Sequence, residues 1–173
     1  AAADQAEVHV QPRPRVVILG TGDELVAPGQ ARRTPGSIPD SVSLGVAALV
    51  RQYGGEVIGR ERLRDDPTAL ERAAAHALEH ADVVVVTGGA SVGEKDFAKS
   101  MFAGHDLELI FEKVAIKPGK PVWMGRAKGR LVVGLPGNPT SALVTARLFL
   151  APLIAGLAGG DPASAQTWRT EPL

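Results

Sequence analysis

The sequence predicts a three-layer α/β/α sandwich around a mostly parallel β-sheet, on two main observations. Short β-branched runs alternate with helical segments along the chain, and glycine-rich turns follow the runs. The runs are nearly continuous in apolar residues, as are strands that are buried on both faces of a sheet. Such alternation places strands in parallel, with helices on both faces. The 173 residues, 45% of them apolar, suffice for one domain with a substantial core.

The predicted strands are short and apolar. They comprise residues 15–19, 56–63, 82–87, 107–116, 121–124 and 131–133. The run that contains four consecutive valines, residues 82–87, is the clearest of them. Residues 107–116 and 121–124 are expected to form strands on either side of a Pro-Gly turn. Because ligands bind at the carboxyl ends of parallel strands, a site is expected in the turns that follow the strands.

Four helices are predicted, and three of them have a recognisable first residue. Their N-terminal positions are Asp40, Asp66-Pro67, Glu94 and Asn138-Pro139. Asp and Asn accept hydrogen bonds from the first backbone N–H groups, and proline suits the first helical position. The first helix is expected to end at Gly54-Gly55 and the last at Leu150. The second carries a single apolar stripe, which consists of Leu70, Ala73, Ala74, Ala77 and Leu78.

Residues 14–160 are predicted to form the domain. Residues 1–13 contain no recognisable element and are interpreted as the remnant of a preceding segment, and residues 161–173 as the start of a linker or a C-terminal domain. No apolar run reaches the roughly 18 residues of a membrane helix, and the polar N-terminus lacks the cationic start of a signal peptide. The absence of cysteine excludes disulfides and thiolate metal sites, which fits a cytoplasmic protein.

A cationic segment is prominent in a chain whose formal net charge is zero. Lys113, Lys117 and Lys120 lie close together, and the last two flank a Pro-Gly turn. Six basic residues and no acidic one lie between Lys113 and Arg130. Local positive charge on a neutral protein indicates a site for a particular anion rather than a nucleic-acid surface. An ordinary hairpin with solvated lysines is the alternative.

Three glycine-rich turns that follow predicted strands suit the same anion. They span Thr21–Leu25, Thr87–Asp96 and Gly134–Ser141. Glycine lets backbone amides approach a phosphate, and the last two turns lead to helix N-termini, where the helix dipole favours anions. Each turn alone is also explained as a simple connection. In the first, Asp23 and Glu24 suit a ligand or metal contact and equally the cap of a short helix.

Two short motifs point to other chemistry. Residues 89–93 match the G-x-S-x-G nucleophile elbow of a serine hydrolase, with Ser91 as the nucleophile, but His105 is the only later histidine. Residues 76–80 match the H-x-x-E-H pattern of zinc peptidases. No third ligand is apparent, and His76 lies well away from the apolar stripe, as a solvated side chain does. A serine hydrolase and a zinc site remain alternatives.

Six segments, taken in order, resemble the molybdopterin-binding domain of the molybdopterin molybdenumtransferases, the bacterial MoeA type that also forms the E domain of gephyrin. They are residues 21–25, 40–41, 65–67, 88–96, 117–121 and 134–139. The resemblance runs from about Arg13 to Gly160 and implies the MogA-like form of the α/β/α sandwich. It implies a cytoplasmic enzyme of molybdenum cofactor synthesis that takes adenylated molybdopterin and molybdate and releases AMP with the help of Mg²⁺. A molybdopterin adenylyltransferase or a stand-alone molybdopterin-binding module is the alternative.

The resemblance assigns site residues by position. Asp65, Asp96, Lys113 and Lys117 match residues important for activity, and the two aspartates are the expected magnesium ligands. Carboxylates suit Mg²⁺, and lysines stabilise charge on a phosphate or molybdate oxyanion. The expected contacts of the pterin nucleotide are Thr21, Gly22, Asp23, Glu24, Asp40, Ser41, Gly88, Gly89, Ser91, Gly93, Lys120, Pro136, Gly137, Asn138 and Ser141.

Two departures from the family bear on function. Val42 stands where family members usually carry an asparagine, so the hydrogen bonds of that amide are missing. Full-length members also carry further domains, and the resemblance implies that their active site forms against a second domain of a partner subunit. It therefore implies a homo-oligomer, a dimer in the full-length form, and an adenylyltransferase of the pathway as a partner. Neither nucleic acid nor membrane is an expected partner.

Overall fold

The computed structural model describes Asp4, residues 6–89 and residues 97–169. Eight strands lie in this part of the chain: β1 Arg15–Thr21, β2 Leu25–Val26, β3 Ile38–Pro39, β4 Glu56–Leu63, β5 Val83–Thr87, β6 Glu108–Phe111, β7 Trp123–Ala127 and β8 Arg130–Leu135. Six of them form one sheet in the order β4-β1-β5-β8-β7-β6. The first four are parallel, and β7 and β6 are antiparallel to their neighbours. The predicted, mostly parallel sheet is confirmed.

The α-helices are α1 Val42–Gln52, α2 Pro67–His80, α3 Phe97–Ser100, α4 Pro139–Thr145 and α5 Ala151–Leu157. A π-helical turn, Ala146–Leu150, joins α4 to α5, and short 3₁₀ turns occur at Ala31–Arg33, Ala103–His105 and Pro162–Ala165. The predicted caps are confirmed at two helices, because Asp66 accepts the N–H of Thr68 and Asn138 accepts the N–H of Ser141. Asp40 accepts the N–H of Ser43 in the first turn of α1.

Two hydrophobic cores lie on opposite faces of the sheet. On strand β5, Val83 and Val85 face the helices α1, α4 and α5, whereas Val84 and Val86 face α2 and α3. This alternation follows from the period of two along a strand. Four residues of the predicted stripe on α2 are buried, and the fifth, Ala73, is partly buried at its edge. The three layers of the predicted sandwich are therefore present.

The last helix is longer than the sequence predicted. It runs without a break from Pro139 to Leu157, not to Leu150, because the π-helical turn continues it past Ala146. By length and composition this 19-residue helix, of mean hydropathy 1.6, is long and apolar enough to cross a membrane. Its apolar face, however, packs in the core, where Leu150 and Ile154 are fully buried against the sheet. It is the core helix of the domain.

Local details differ from the prediction. The first strand expected before the Pro-Gly turn is shorter than predicted, the second begins two residues later than predicted, and residues 112–122 form a loop between β6 and β7. The parallel pair β2 and β3 was missed, because two residues each carry no periodicity. After Gly160, in the segment interpreted as the start of a linker or a C-terminal domain, Asp161 caps a 3₁₀ turn whose Ala165 is buried.

Candidate functional site

A cavity of about 950 Å³ lies at the carboxyl ends of the parallel strands. The three described turn segments that follow β1, β5 and β8 all open onto it, as the sequence predicted. The predicted contact residues that line it are Thr21, Gly22, Glu24, Asp40, Ser41, Gly88, Gly89, Pro136, Gly137, Asn138 and Ser141. Asp65, predicted as a catalytic residue, lines it as well. The structure thus brings residues from five separate parts of the chain to one place.

The turns pack directly on one another through their glycines. Gly88 has φ +89°, and a β-carbon there would overlap the carbonyl oxygen of Thr21. A β-carbon on Gly137 would lie 3.3 Å from the Cα of Gly88. Gly89 has φ +68°, and a β-carbon there would lie 3.0 Å from the backbone nitrogen of Ala98. Small residues are therefore required where the turns meet.

Two of the turn amides are engaged within the protein. The N–H of Gly22 donates to the carbonyl of Leu63 at 3.1 Å, and that of Gly88 to the carbonyl of Leu135 at 3.2 Å. The expectation that these turns expose their amides to a phosphate is wrong for these two residues. Their hydrogen bonds instead continue the sheet ladder and hold the turns in position.

The N-terminus of α4 faces the same cavity. Asn138 accepts hydrogen bonds from the N–H and the Oγ of Ser141, at 3.1 and 3.3 Å, and both residues line the cavity. The proline at position 139 has no N–H and fits the first helical position. The positive end of the helix dipole therefore points toward the cavity, which favours an anionic ligand there.

At the start of α1, Asp40 is 2% exposed. Its carboxylate accepts hydrogen bonds from the N–H and the Oγ of Ser43, at 3.1 and 2.5 Å. Asp40 therefore holds the helix terminus as well as lining the cavity. Val42, two residues after Asp40, is 8% exposed and packs in the core on one side of the sheet.

An acidic group borders the cavity and consists of Asp23, Glu24 and Asp65. The N–H of Asp65 donates to Asp23 Oδ1 at 3.2 Å. Partial burial, and then the charges of Asp23 and Glu24, raise the pKa of Asp65 above its ordinary value. Asp23 lines a neighbouring cleft of about 330 Å³ rather than the main cavity. No helix begins at Asp23 or Glu24, so their alternative role as helix caps is wrong.

The cationic segment divides into two parts. Lys113, Lys117 and Lys120 are exposed and are not among the residues that line the cavity, although the next residue, Pro121, is. Gly119 is buried against Thr145 of α4, where a β-carbon would overlap the threonine methyl group, so the turn of residues 117–120 is fixed to that helix. The remaining three basic residues lie on β7, on β8 or between them, where Arg130 pairs with Asp82 at 3.4 Å.

Three predicted site residues, Ser91, Gly93 and Asp96, lie outside the described residues, and with them most of the nucleophile-elbow motif and one of the two expected magnesium ligands. The predicted start of the third helix, Glu94, lies outside them too. Within the described part of the chain, no three histidine or acidic side chains are grouped closely enough to hold a metal ion.

Several further residues line the cavity that the sequence did not assign as contacts. They are Leu25, Ile38, Pro39, Val42, Thr87, Phe97, Pro121 and Pro139. Most are apolar and give the cavity an apolar wall. Ile38, Pro39 and Phe97 lie outside all the turns and family segments that the sequence indicated. Leu25, Ile38 and Pro39 belong to the short β2–β3 pair, and strands of two residues cannot be recognised from a pattern.

The fold and cavity define an α/β ligand-binding domain whose site lies at the carboxyl edge of a doubly wound sheet. Residues 17–156 match the family described as "Probable molybdopterin binding domain", and the chain belongs to this family. It is 40% identical over 162 residues to the molybdopterin molybdenumtransferase of Nostoc sp. (strain PCC 7120).

Solved structures agree with this assignment. The molybdopterin biosynthesis MoeA protein of Pyrococcus horikoshii is 36% identical, with a TM-score of 0.75 over 85% of this chain. A MogA structure, 18% identical with a TM-score of 0.58 over 83% of this chain and 99% of that one, shares the fold. The predicted family and MogA-like fold are confirmed.

The chain spans only part of its longer relatives. The match to the Nostoc protein covers 92% of this chain but 37% of that protein, and the Pyrococcus match covers 36% of that chain. The similarity therefore concerns one domain of a larger molecule in each of these relatives.

Proposed function

We propose that this chain is the substrate-binding part of a molybdopterin molybdenumtransferase: it binds adenylated molybdopterin in the main cavity for insertion of molybdate and release of AMP. The observation that carries the proposal is the convergence of the turns after β1, β5 and β8 on one cavity. Membership of the molybdopterin-binding domain family and the similarity to the Nostoc molybdenumtransferase and the Pyrococcus MoeA protein support it.

The cavity suits a pterin nucleotide in size and in the character of its walls. Its volume of about 950 Å³ lies at the upper end of the range of about 300–1,000 Å³ found for small-molecule pockets. Leu25, Ile38 and Phe97 offer apolar surface for a flat ring system, and the N-terminus of α4 offers a positive dipole for a phosphate. A nucleotide needs both kinds of surface.

The acidic group of Asp23, Glu24 and Asp65 is proposed to hold Mg²⁺ together with the phosphates of the substrate. Asp65 and Glu24 line the cavity, and mutual repulsion with Asp23 favours a cation beside them. Mg²⁺ is commonly held by one or two carboxylates together with substrate phosphates, so a cluster of three protein ligands is not required. When bound, the ion would neutralise charge on the pyrophosphate and make AMP a better leaving group. Among the described residues, Asp65 would be its main protein ligand. Asp96, which lies outside the described residues, is proposed as the second on the family resemblance alone.

The lysines are proposed to act on the anionic groups of the substrates. Lys120 directly precedes Pro121, which lines the cavity, and Lys117 lies on the same turn, which Gly119 holds against Thr145 of α4. Lys113 lies on the loop that leads to this turn, where the N–H of Val114 donates to the carbonyl of Lys120. A long lysine side chain can reach a ligand that extends out of the cavity, and its charge would stabilise a phosphate or molybdate oxygen.

Calorimetric titration with adenylated molybdopterin, with and without Mg²⁺ and molybdate, tests the proposal. Lys117→Ala removes one positive charge beside the cavity. Lys128→Ala is the matched control, because Lys128 is exposed between β7 and β8, at the opposite edge of the sheet. We expect Mg²⁺-dependent binding that falls at least about tenfold in Lys117→Ala and is unchanged in Lys128→Ala.

Two results would contradict the proposal. Equal affinities of the wild type and Lys117→Ala would show that the lysine turn does not contact the ligand. Absence of wild-type binding would show that adenylated molybdopterin is not the ligand of this chain. Transfer of AMP from ATP to molybdopterin by the chain would instead support the alternative, an adenylyltransferase. A homo-oligomer, cytoplasmic location and a domain boundary near residue 160 belong to the proposal as further expectations.

A further inference from the structure

We propose that helix α2 carries a surface site for a divalent transition-metal ion, formed by the imidazoles of His76 and His80. This inference does not depend on the proposed function. The helix begins after the carboxyl end of β4 and ends just before β5, so His80 lies at the edge of the sheet opposite the main cavity. A metal ion there is separate from any ion beside Asp65.

The geometry of the pair suits two-point ligation. Residues four apart lie on the same face of a helix, one turn above the other. The two rings are 4.5 Å apart between centroids, with an angle of 37° between their planes. Both side chains are exposed, so an ion can reach them while keeping part of its water shell.

One ring is already oriented by the backbone. His80 Nδ1 lies 2.8 Å from the carbonyl oxygen of His76. A carbonyl oxygen only accepts hydrogen bonds, so Nδ1 must carry the proton, and the lone pair of the neutral ring is on Nε2. Metal-binding histidines commonly donate their second N–H to a backbone carbonyl in this way, which fixes the tautomer and the orientation of the ring.

The surrounding charges are mixed and, near the end of the helix, favourable to a cation. His80 is the last residue of α2, where the negative end of the helix dipole lies. Glu79 is exposed on the same turn, and Arg72, four residues before His76, opposes a cation from the other side. No third histidine or acidic side chain in the described chain completes a closed set of ligands. Water would therefore fill the remaining positions.

The ligand type selects the class of ion. Neutral imidazole suits Zn²⁺, Ni²⁺ and Cu²⁺, whereas Mg²⁺ and Ca²⁺ prefer oxygen ligands. We therefore expect binding of Zn²⁺ and Ni²⁺ at α2 and no response of these histidines to Mg²⁺. Two imidazoles with open positions make a site that also accepts a ligand from a partner molecule.

Titration of the whole chain with ZnCl₂ in a calorimeter tests the site. The variants His76→Asn and His80→Asn each remove one ligand, and His9→Asn, an exposed histidine ahead of β1, is the matched control. We expect one ion per chain, a loss of affinity of at least tenfold in each α2 variant, and no change in the control. In the wild type, Zn²⁺ should also shift the imidazole ¹⁵N resonances of His76 and His80, which identifies the ligands without substitution.

The proposal is overturned if the wild type binds no Zn²⁺ at millimolar concentration. It is equally overturned if the α2 variants bind as the wild type does, or if the resonances of His9 shift in place of those of the pair. Circular dichroism of each variant establishes that the helix is intact, as expected for exchanges of exposed side chains.

Discussion

At the scale of single residues, two aspartates at opposite edges of the sheet have opposite surroundings. Asp82 is bound by Arg15, through its backbone N–H at 2.8 Å and its guanidinium at 3.3 Å, and by Arg130 at 3.4 Å. Burial works to raise its pKa, but the hydrogen bonds and charges of the two arginines outweigh burial and lower the pKa below its ordinary value. Asp65 has acidic neighbours instead, and its pKa is raised. The first arrangement stabilises the fold, and the second favours a bound cation.

Asp65→Asn should therefore stabilise the chain at neutral pH while weakening its ligand binding. In the folded protein the pKa of Asp65 is above its ordinary value of 3.8, so the ionised carboxylate costs stability at pH 7. Because the side chain is largely solvated, we expect a gain of only about 0.5 kcal/mol, or about 1–2 °C in Tm. The gain should vanish as the pH falls through the folded pKa toward 3.8, where the native carboxyl is protonated too.

Thermal unfolding between pH 7.5 and 4 checks this expectation, and calorimetry with Mg²⁺ and adenylated molybdopterin checks the loss of binding. Glu7→Gln is the control, because it also removes one negative charge but lies in the exposed segment ahead of β1, in no helix or strand. A Tm of Asp65→Asn below that of the wild type at pH 7 would contradict the assigned repulsion. Higher stability with weaker binding is the usual relation between a strained site and its function.

At the scale of elements, the site depends on turns that touch. The turn after β5 lies between the turns after β1 and β8, because β5 is the middle strand of the three. Gly88 meets Thr21 on one side and Gly137 on the other. The backbone hydrogen bonds of Gly22 and Gly88 tie each turn to a neighbouring strand. One side chain added at this point should therefore displace two segments of the cavity wall.

Gly88→Ala tests this point, with Gly29→Ala as a matched control. Both glycines have φ +89°, but a β-carbon on Gly29 meets nothing within 4 Å. The control should lose about 1–2 kcal/mol from the left-handed backbone alone. Gly88→Ala should lose about 3 kcal/mol or more, because overlap with the Thr21 carbonyl adds to the same backbone strain. Urea denaturation measures both losses.

The two variants should also differ in binding. Gly29→Ala is expected to bind adenylated molybdopterin as the wild type does, because residue 29 does not line the cavity. Gly88→Ala is expected to lose binding even under conditions in which it remains folded. Equal losses of stability in the two variants would mean that the turns have room to separate, and that the cavity is not held together by this contact.

Some elements of the fold could be predicted from the sequence, and others could not. β5 and the caps at Asp66 and Asn138 were predictable, because each depends on local chemistry: apolar runs, or side chains that accept N–H groups. The β2–β3 pair was not, since two residues per strand leave no pattern and the pairing joins positions 13 apart. The two ends of the loop between β6 and β7, residues 112–116 and 121–122, were predicted as strand, but they do not join the sheet, and the turn between them is held on α4 through Gly119.

The residues of the site, too, could be predicted from the sequence only in part. The turns and Asp65 were found because each stands at a strand end or matches a family segment, and the structure places them around one cavity. The apolar wall was not found, because Ile38 and Phe97 lie in no glycine-rich turn and Leu25 was noted only as the end of one, and only the folded chain brings the three together. The lysines were predicted as part of the site, but their side chains remain outside the residues that line it.

At the scale of the whole molecule, the proposed function predicts that ligand binding and turnover can be separated. The match to the Nostoc protein covers 37% of that protein, so most of the relative has no counterpart in this chain. Within this chain the cavity has its turns, its acidic group and its apolar wall, and the three lysines stand exposed beside it. Exposed charges in water stabilise a transition state far less than charges in a closed, water-excluded site.

We therefore expect the chain to bind adenylated molybdopterin but to release AMP at least about 10²-fold more slowly than a full-length relative, because imperfectly positioned groups cost about that factor. AMP is measured by chromatography after addition of molybdate and Mg²⁺, with the Nostoc enzyme assayed in parallel. Binding measured in the same buffer separates a slow chemical step from a misfolded sample. Release within tenfold of the full-length rate would mean that this domain alone carries the chemistry, and that the exposed lysines close over the ligand without help from another domain.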